Sequence, residues 1–243
     1  MIPWLNQDTE FPPVESALES PNGLLAAGGD LTPQRLLAAY RKGIFPWYSA
    51  GDPILWWSPD PRMVLIPTEL KVSRSLAKTL RNRDYTIRFD SRFSAVMEAC
   101  GASRPGQAGT WINPDMCAAY GTLHRMGYAH SAETWIDGSL AGGLYGIAIG
   151  RAFFGESMFS FERDASKIAL VALIQLLRNQ DFGLIDCQMH TSHLASLGAR
   201  DIPRQQFSGL LRKLVDSPCT PGSWAQIPTA LDFPRPPPRS CQN

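Results

Sequence analysis

This sequence lacks charge imbalance. Lysine plus arginine number 23 and aspartate plus glutamate 22, a net of +1. No global field draws nucleic acid or membrane to such a chain, so binding of either has to come from a local patch. Cysteine is scarce: Cys100, Cys117, Cys187, Cys219 and Cys241, with no CxxC pair. An odd, scattered set argues against a disulfide framework or a zinc site and suits a reducing cytosol. The histidines offer only His190-x-x-His193 as a pair and no HExxH. They are expected as polar loop residues, and no metal is expected. The longest apolar run, Ile168 to Leu177, is broken by Gln175 and is too short to span a bilayer, so no membrane partner is expected. The opening "MIPWLNQDTEF" has neither a basic region nor an apolar stretch, so no signal peptide is expected either.

Nucleotide chemistry is also missing. There is no GxxxxGK[ST], and "GLLAAGGD" is glycine-rich without being GxGxxG. There is no GxSxG elbow. Nothing equips the chain to activate its own substrate with ATP, and no cofactor is expected. If it is a transferase, its donor arrives already activated.

Aromatics, by contrast, are concentrated in one proline-rich stretch. Residues 44–62, "IFPWYSAGDPILWWSPDPR", hold Trp47, Trp56 and Trp57 among four prolines. Interior proline disfavours helices and central strands, so loops or short edge strands are expected here. The segment up to Arg62 contains one clear helix. Thr32 is its expected N-cap, Pro33 its first residue, and Gly43 its terminator. Turn signals surround it, which suggests a small loop-rich domain over residues 1–62.

Residues 71–81, "KVSRSLAKTLR", read as a short amphipathic helix. Lys71, Arg74, Lys78 and Arg81 share one face, with Arg83 close by; Val72, Leu76 and Leu80 lie opposite. Like charges this dense repel one another unless a polyanion approaches. Either a solvated face or a phosphate-contacting patch fits.

A helix over residues 114–126, capped by Asn113, opens the next stretch. "SAETWI", the turn Asp137-Gly138, "SLAGGLYGIAIG" and "AFFGESMFS" read as three antiparallel strands. A helix from Ala165 to Asn179 follows, with Asp164 as candidate cap. Then come the strand "GLIDCQM" and a short helix from Ser192. This is an α+β pattern with a mainly antiparallel central sheet over residues 63–243. It is that of the GNAT acyltransferase-like fold, an analogy that by itself says little about function. The end of the chain, "FPRPPPRSCQN", reads as an extended tail.

Two stretches carry candidate chemistry. In "LIDCQM", strand alternation puts Leu184, Asp186 and Gln188 on one face and Ile185, Cys187 and Met189 on the other. Asp186 could orient Gln188 or stabilise developing positive charge, or the two could be a structural polar pair. Cys187 faces away and is not expected to be a nucleophile. In "FFGESMFS", Glu156 sits among Phe153, Phe154, Met158 and Phe159, where a carboxylate needs a partner. That partner is either a structural cation or a substrate group. Gly155 permits a bulge or a close approach. Trp47 and Trp111 are candidates for stacking on a nucleobase, or simply core residues.

Together these segments are familiar. "PNGLLAAGGDLTPQRLLAAYRKGIFPWYSAGDPILWWSPDPRMVL", "GTWI", "GESMFS", "ASK" and "LIDCQ…HLASLGA" closely resemble the bacterial leucyl/phenylalanyl-tRNA–protein transferases, from about Phe11 to Phe207. The resemblance implies transfer of leucine, phenylalanine or methionine from aminoacyl-tRNA to the N-terminal α-amino group of a protein that begins with arginine or lysine. That marks the acceptor for degradation by the N-end rule pathway. It implies a cytoplasmic enzyme, read here as a monomer, that needs neither ATP nor metal, because the ester donor is already activated.

Carried over by position, Trp47 and Trp111 look like the residues that hold the 3′-terminal adenosine of the tRNA. Asp186 and Gln188 match the catalytic pair, and Glu156 a carboxylate of the same site. Gln188, polarised by Asp186, would help the amine lose its proton, or the pair would position groups while the substrate's ribose hydroxyl relays it. The amino-acid pocket would be lined by Leu144, Phe153, Met158, Leu173, Leu177 and Ile185. Leucine at 173 and 177, where relatives often carry phenylalanine, suggests a roomier pocket that accepts phenylalanine and methionine comparatively well. Lys71, Arg74, Lys78, Arg81 and Arg83 match a basic cluster that contacts the acceptor stem. One departure is Thr191, where relatives are expected to carry asparagine. Two rivals remain. A CoA-dependent acyltransferase would carry a glycine-rich pyrophosphate loop, and "FSFERDASK" has no glycine. A catalytically silent tRNA-binding module would not need Asp186, Gln188 and Glu156 together.

Overall fold

The computed structural model describes residues 2–7, 10–102, 111–218 and 221–227. Cys219, Cys241 and the proline-rich tail lie outside them. The N-terminal part supplies β1 (Trp4–Leu5), β2 (Leu24–Gly28), α1 (Pro33–Arg41), β3 (Phe45–Pro46) and β4 (Leu55–Trp57). These strands form a four-stranded sheet in the order β1-β2-β4-β3. The proline-rich stretch thus yields two short strands, and Pro46 lies on the edge strand, where a missing N–H costs least. Trp56 and Trp57 lie on β4, inside this small sheet.

The rest supplies β5 (Arg62–Leu65), α2 (Arg74–Asn82), β6 (Thr86–Phe89), α3 (Phe93–Gly101), α4 (Pro114–Arg125), β7 (Ala129–Ile136), β8 (Ser139–Ile149) and β9 (Ala152–Ser160). After these come α5 (Ala165–Asn179), β10 (Leu184–Gln188), α6 (Ser192–Ala195), β11 (Arg200–Ile202) and α7 (Arg204–Val215). The strands form a seven-stranded mixed sheet in the order β11-β5-β10-β9-β8-β7-β6. Among the described residues its single parallel pair is β9 with β10.

The large sheet separates two apolar cores. On one face, α2 and α5 bury Leu76, Leu80 and most of α5. On the other lie α1, α3, α4, α7 and the small sheet. There Leu25, Tyr40 and Trp56 pack in the same cluster as Tyr120, Phe154 and Phe207. The small sheet therefore has no core of its own.

Helix ends follow their capping residues. The Thr32 side chain accepts from the Arg35 N–H at the start of α1. Gly43, at φ 75°, ends that helix, and a Cβ there would lie 2.6 Å from the Phe207 ring. Two helix starts differ from the sequence reading. Ser73 caps α2, so the helix begins at Arg74, and Lys71 lies outside it with its N–H bonded to the Leu197 carbonyl. Asp164 precedes α5 but makes no capping bond. Its backbone is left-handed, φ 62°, and its carboxylate accepts from Thr79 and Lys167 instead.

Candidate active site

The site forms where β9 and β10 part. The two parallel strands pair from Leu184↔Ala152 to Asp186↔Phe154 and no further. Both are irregular just beyond that point. In the β8–β9 pairing, Tyr145 opposes Ser157 and Gly146 opposes Gly155, so Glu156 is the extra, bulged residue. Of the two alternatives that Gly155 permits, a bulge and a close approach, the bulge is present. Gly146 makes it possible, because a Cβ there would sit 2.2 Å from the Phe154 oxygen. In the β10–β5 pairing, the register shifts between Asp186 and Gln188, and Gln188 takes a left-handed φ of 63°. A bulge re-aims the side chain that it carries. Here the Glu156 bulge faces the irregular end of β10, where Cys187 is the extra residue and Gln188 follows it: Gln188 Nε2 donates to Glu156 Oε1 at 3.0 Å.

Three residues that the sequence reading did not single out complete this cluster. Tyr40 of α1 donates to Glu156 Oε1 at 2.8 Å, and Tyr120 of α4 lies 3.1 Å from Oε2. The two tyrosine hydroxyls also contact each other directly. Arg62, the first residue of β5, is fully buried and chelates Asp186. Its Nε donates to Oδ1 at 2.8 Å and its Nη2 to Oδ2 at 2.6 Å. The guanidinium also lies 4.9 Å from the Phe45 ring centroid and 4.7 Å from that of Phe207. The only signal for the two tyrosines was their place on apolar helix faces, since tyrosine is rarely buried without a partner, and Arg62, at the start of a strand, offered none.

Asp186 thus has no solvent access, and Arg62 occupies both of its oxygens. Its Oδ1 also accepts the Gln188 backbone N–H at 2.9 Å. The carboxylate orients Gln188 through the main chain. It does not contact the Gln188 amide.

Electrostatics act strongly on Glu156. Burial pushes Glu156 up to about 7, and Asp186 pushes the same way, while the tyrosine hydroxyls and Arg62 pull it down. Burial, and then the charge of Glu156, raise Tyr40 and Tyr120 well above the usual phenol range, so both keep their protons. Burial and the neighbouring Asp186 raise the Cys187 thiol far out of the thiolate range, which agrees with its exclusion as a nucleophile.

Leu144, Phe153, Met158, Leu173, Leu177 and Ile185 all gather in the cluster between the sheet and α5. Trp47 is 38% exposed. Trp57 holds it, with its ring edge-on at 5.5 Å and its Nε1 donating to the Trp47 carbonyl at 2.7 Å. Trp57 therefore serves Trp47, while Trp56 is buried and bonds the Gly28 carbonyl. Trp111 is half-buried against the core that contains Trp56. Thr191 caps α6, so its hydroxyl is already engaged.

Arg74, Lys78 and Arg81 are exposed along α2, and Lys71 is exposed just before it. Arg83 differs from them. It caps the helix end, pairs with Glu162 at 3.0 Å and donates to the Arg163 carbonyl. The acid that the sequence reading did not find beside this patch comes from the β9–α5 turn.

Comparison with known proteins now bears on the site. Residues 64–212 match the family model described as leucyl/phenylalanyl-tRNA protein transferase, and residues 29–60 match that of its N-terminal domain. The chain belongs to the leucyl/phenylalanyl-tRNA protein transferase family. It is accordingly an enzyme, a transferase. A leucyl/phenylalanyl-tRNA–protein transferase of Nitrosomonas europaea is 66% identical over 92% of this chain and 95% of its own length. That of Chromobacterium violaceum is 64% identical over 92% and 96%. That of Azoarcus is 59% identical over 96% and 99%. Among solved structures, a conserved Staphylococcus epidermidis protein of unknown function superposes with a TM-score of 0.40 at 12% identity, over 74% of this chain and 68% of its own. No helix among the described residues is long and apolar enough to cross a membrane.

Proposed function

We propose that this enzyme transfers leucine, phenylalanine or methionine from aminoacyl-tRNA to the N-terminal α-amino group of proteins that begin with arginine or lysine. The acceptor is thereby marked for N-end rule degradation in the cytoplasm, and the enzyme works as a monomer. The family relationship supports the overall reaction. The observation that carries the site assignment is the Gln188–Glu156 contact at the point where β9 and β10 part. A silent tRNA-binding module has no use for a bulged carboxylate that faces an amide on the neighbouring strand.

In this reading the 3′-adenosine lies between Trp47 and Trp111, and the aminoacyl side chain enters the cluster that contains Phe153, Leu173 and Leu177. Leucine at 173 and 177 leaves room for phenylalanine and methionine. Gln188 holds a substrate polar group, with Asp186 and Arg62 as its rigid support. The acceptor-stem phosphates lie against Lys71, Arg74, Lys78 and Arg81, with Arg83 as a tethered member. The arrangement of the large sheet, with one parallel pair that splays, supports a GNAT-like catalytic region from residue 63 onward, beside a small N-terminal domain.

Incubation of labelled Phe-tRNA with an Arg-initiated peptide, without ATP or CoA, tests the reaction. Label in the peptide is the expected result. Binding of the tRNA without transfer would leave only a binding module.

A further inference from the structure

Tyr40, Tyr120 and Glu156 form a closed triangle of oxygen contacts. Tyr40 meets Glu156 Oε1, Tyr120 meets Oε2, and the two hydroxyls meet each other. Each hydroxyl carries a single proton. With Glu156 ionised, two protons serve three contacts, and one contact sets lone pairs against each other. With Glu156 protonated, three protons serve three contacts in one continuous direction. Oε2–H donates to Tyr120, Tyr120 to Tyr40, and Tyr40 to Oε1. Oε1 also accepts from Gln188. The geometry is therefore complete only when the carboxyl holds a proton, and its ionised form remains accessible near neutrality. The charged and titratable groups around it are Tyr40 on α1, Tyr120 on α4, Tyr145 on β8, Arg62 on β5 and Asp186 on β10. Tyr40, Tyr120 and Tyr145 stay protonated, Arg62 and Asp186 are bonded to each other, and Glu156 is raised to about 7.

We propose that Glu156, held by Tyr40 and Tyr120 as positioning residues, moves the proton that the transfer has to relocate. This rests on the aminoacyl-transfer reading above. The acceptor amine uses its lone pair to form the C–N bond to the ester carbonyl carbon. Ionised Glu156 takes one N–H proton as that bond forms, and the tyrosine ring closes around the resulting acid. The C–O bond to the ribose then breaks with its electron pair on oxygen. The proton passes to that oxygen, and Glu156 returns to its ionised form. No other reactant is consumed.

The test is the pH dependence of single-turnover transfer from Phe-tRNA to an Arg-initiated peptide. The wild-type rate should rise with pH through an acid limb near about 7. In E156Q the amide N–H replaces the acid proton, so the ring stays closed while exchange is lost. Its rate should fall ~10²-fold or more, with the limb gone. Y40F and Y120F should each displace the limb by roughly half a unit to one unit, because each removes a hydroxyl that bonds the carboxyl directly. A purely structural role would lower the rate equally at every pH. Infrared difference spectra give a readout independent of activity: a carboxylic-acid band that titrates near 7 in the wild type and is absent from E156Q. If E156Q keeps the wild-type rate and limb, or if the band is already lost below roughly pH 5, the usual range of an unperturbed carboxyl, the proton assignment is wrong and the transfer reading stands. If the wild type itself transfers nothing to the peptide, the transfer reading fails instead.

Discussion

Arg62 and Asp186 are both fully buried and joined by two charge-assisted hydrogen bonds of 2.8 and 2.6 Å. They lie 124 residues apart in sequence, on neighbouring antiparallel strands. Removing one partner leaves the other charge buried without its counter-ion. Arg62→Ala is expected to cost ~3–5 kcal/mol in urea unfolding. Replacing both by apolar residues of similar size should recover most of that stability but not the transfer activity, because Gln188 loses the carboxylate that holds its N–H. A loss below ~1 kcal/mol for the single variant would contradict this account of the pair.

Glu156 links stability to pH with a definite sign. Its carboxyl titrates about 7 in the folded chain, above its ordinary value of 4.5. The native state therefore binds more protons than the unfolded state between those values, and stability falls as pH rises through that window. Glu156→Gln carries no charge at any pH. Its Tm should match the wild type near pH 4 and exceed it increasingly up to pH ~7, with a constant difference above. Thermal melts across the range check it, and a difference independent of pH would refute it.

The tryptophans divide by contact. Trp47→Ala removes the half-exposed ring proposed to stack on adenosine and should weaken Phe-tRNA binding by ~1–3 kcal/mol, with little change in Tm. Trp57→Ala should weaken the same binding through loss of the ring and N–H that hold Trp47. Trp56→Ala should mainly cost stability, about 3–5 kcal/mol as for other buried rings. Equilibrium titration beside thermal unfolding separates the three.

The basic helix should act through charge alone. Reversing Lys78 and Arg81 together is expected to weaken binding of all cognate tRNAs alike and to flatten the salt dependence, with the log–log slope falling by about 2 or more. Arg83→Ala should matter less, because Glu162 already neutralises that cation. A loss confined to one tRNA sequence would argue for base contacts instead.

Much of the local structure was legible in the sequence because it depends on neighbours along the chain. Thr32 with Pro33, Asn113 with Pro114, and the Asp137-Gly138 turn each fix an element through contacts a few residues away. The α+β order follows from the same kind of signal, and Gly155 permitted the bulge that is found beside it. Lys71 and Asp164 departed from it for a local reason, since Ser73 offered a better cap and Asp164 had partners on α2 and α5.

The residues Glu156, Asp186 and Gln188 were visible as candidates because a polar group inside an apolar strand has to be satisfied somewhere. Which group satisfies it is settled by packing between distant elements. Tyr40 and Tyr120 reach Glu156 from two helices, 116 and 36 residues away in sequence. Arg62 meets Asp186 only because β5 lies beside β10. Sequence alone determined several of the elements, the family and the polar groups that needed partners. Tertiary structure decided that one carboxylate is locked by a buried cation while the other keeps an exchangeable proton. The physical reason is that burial and hydrogen bonding act on a carboxyl through space, over a few ångströms, whatever the separation along the chain.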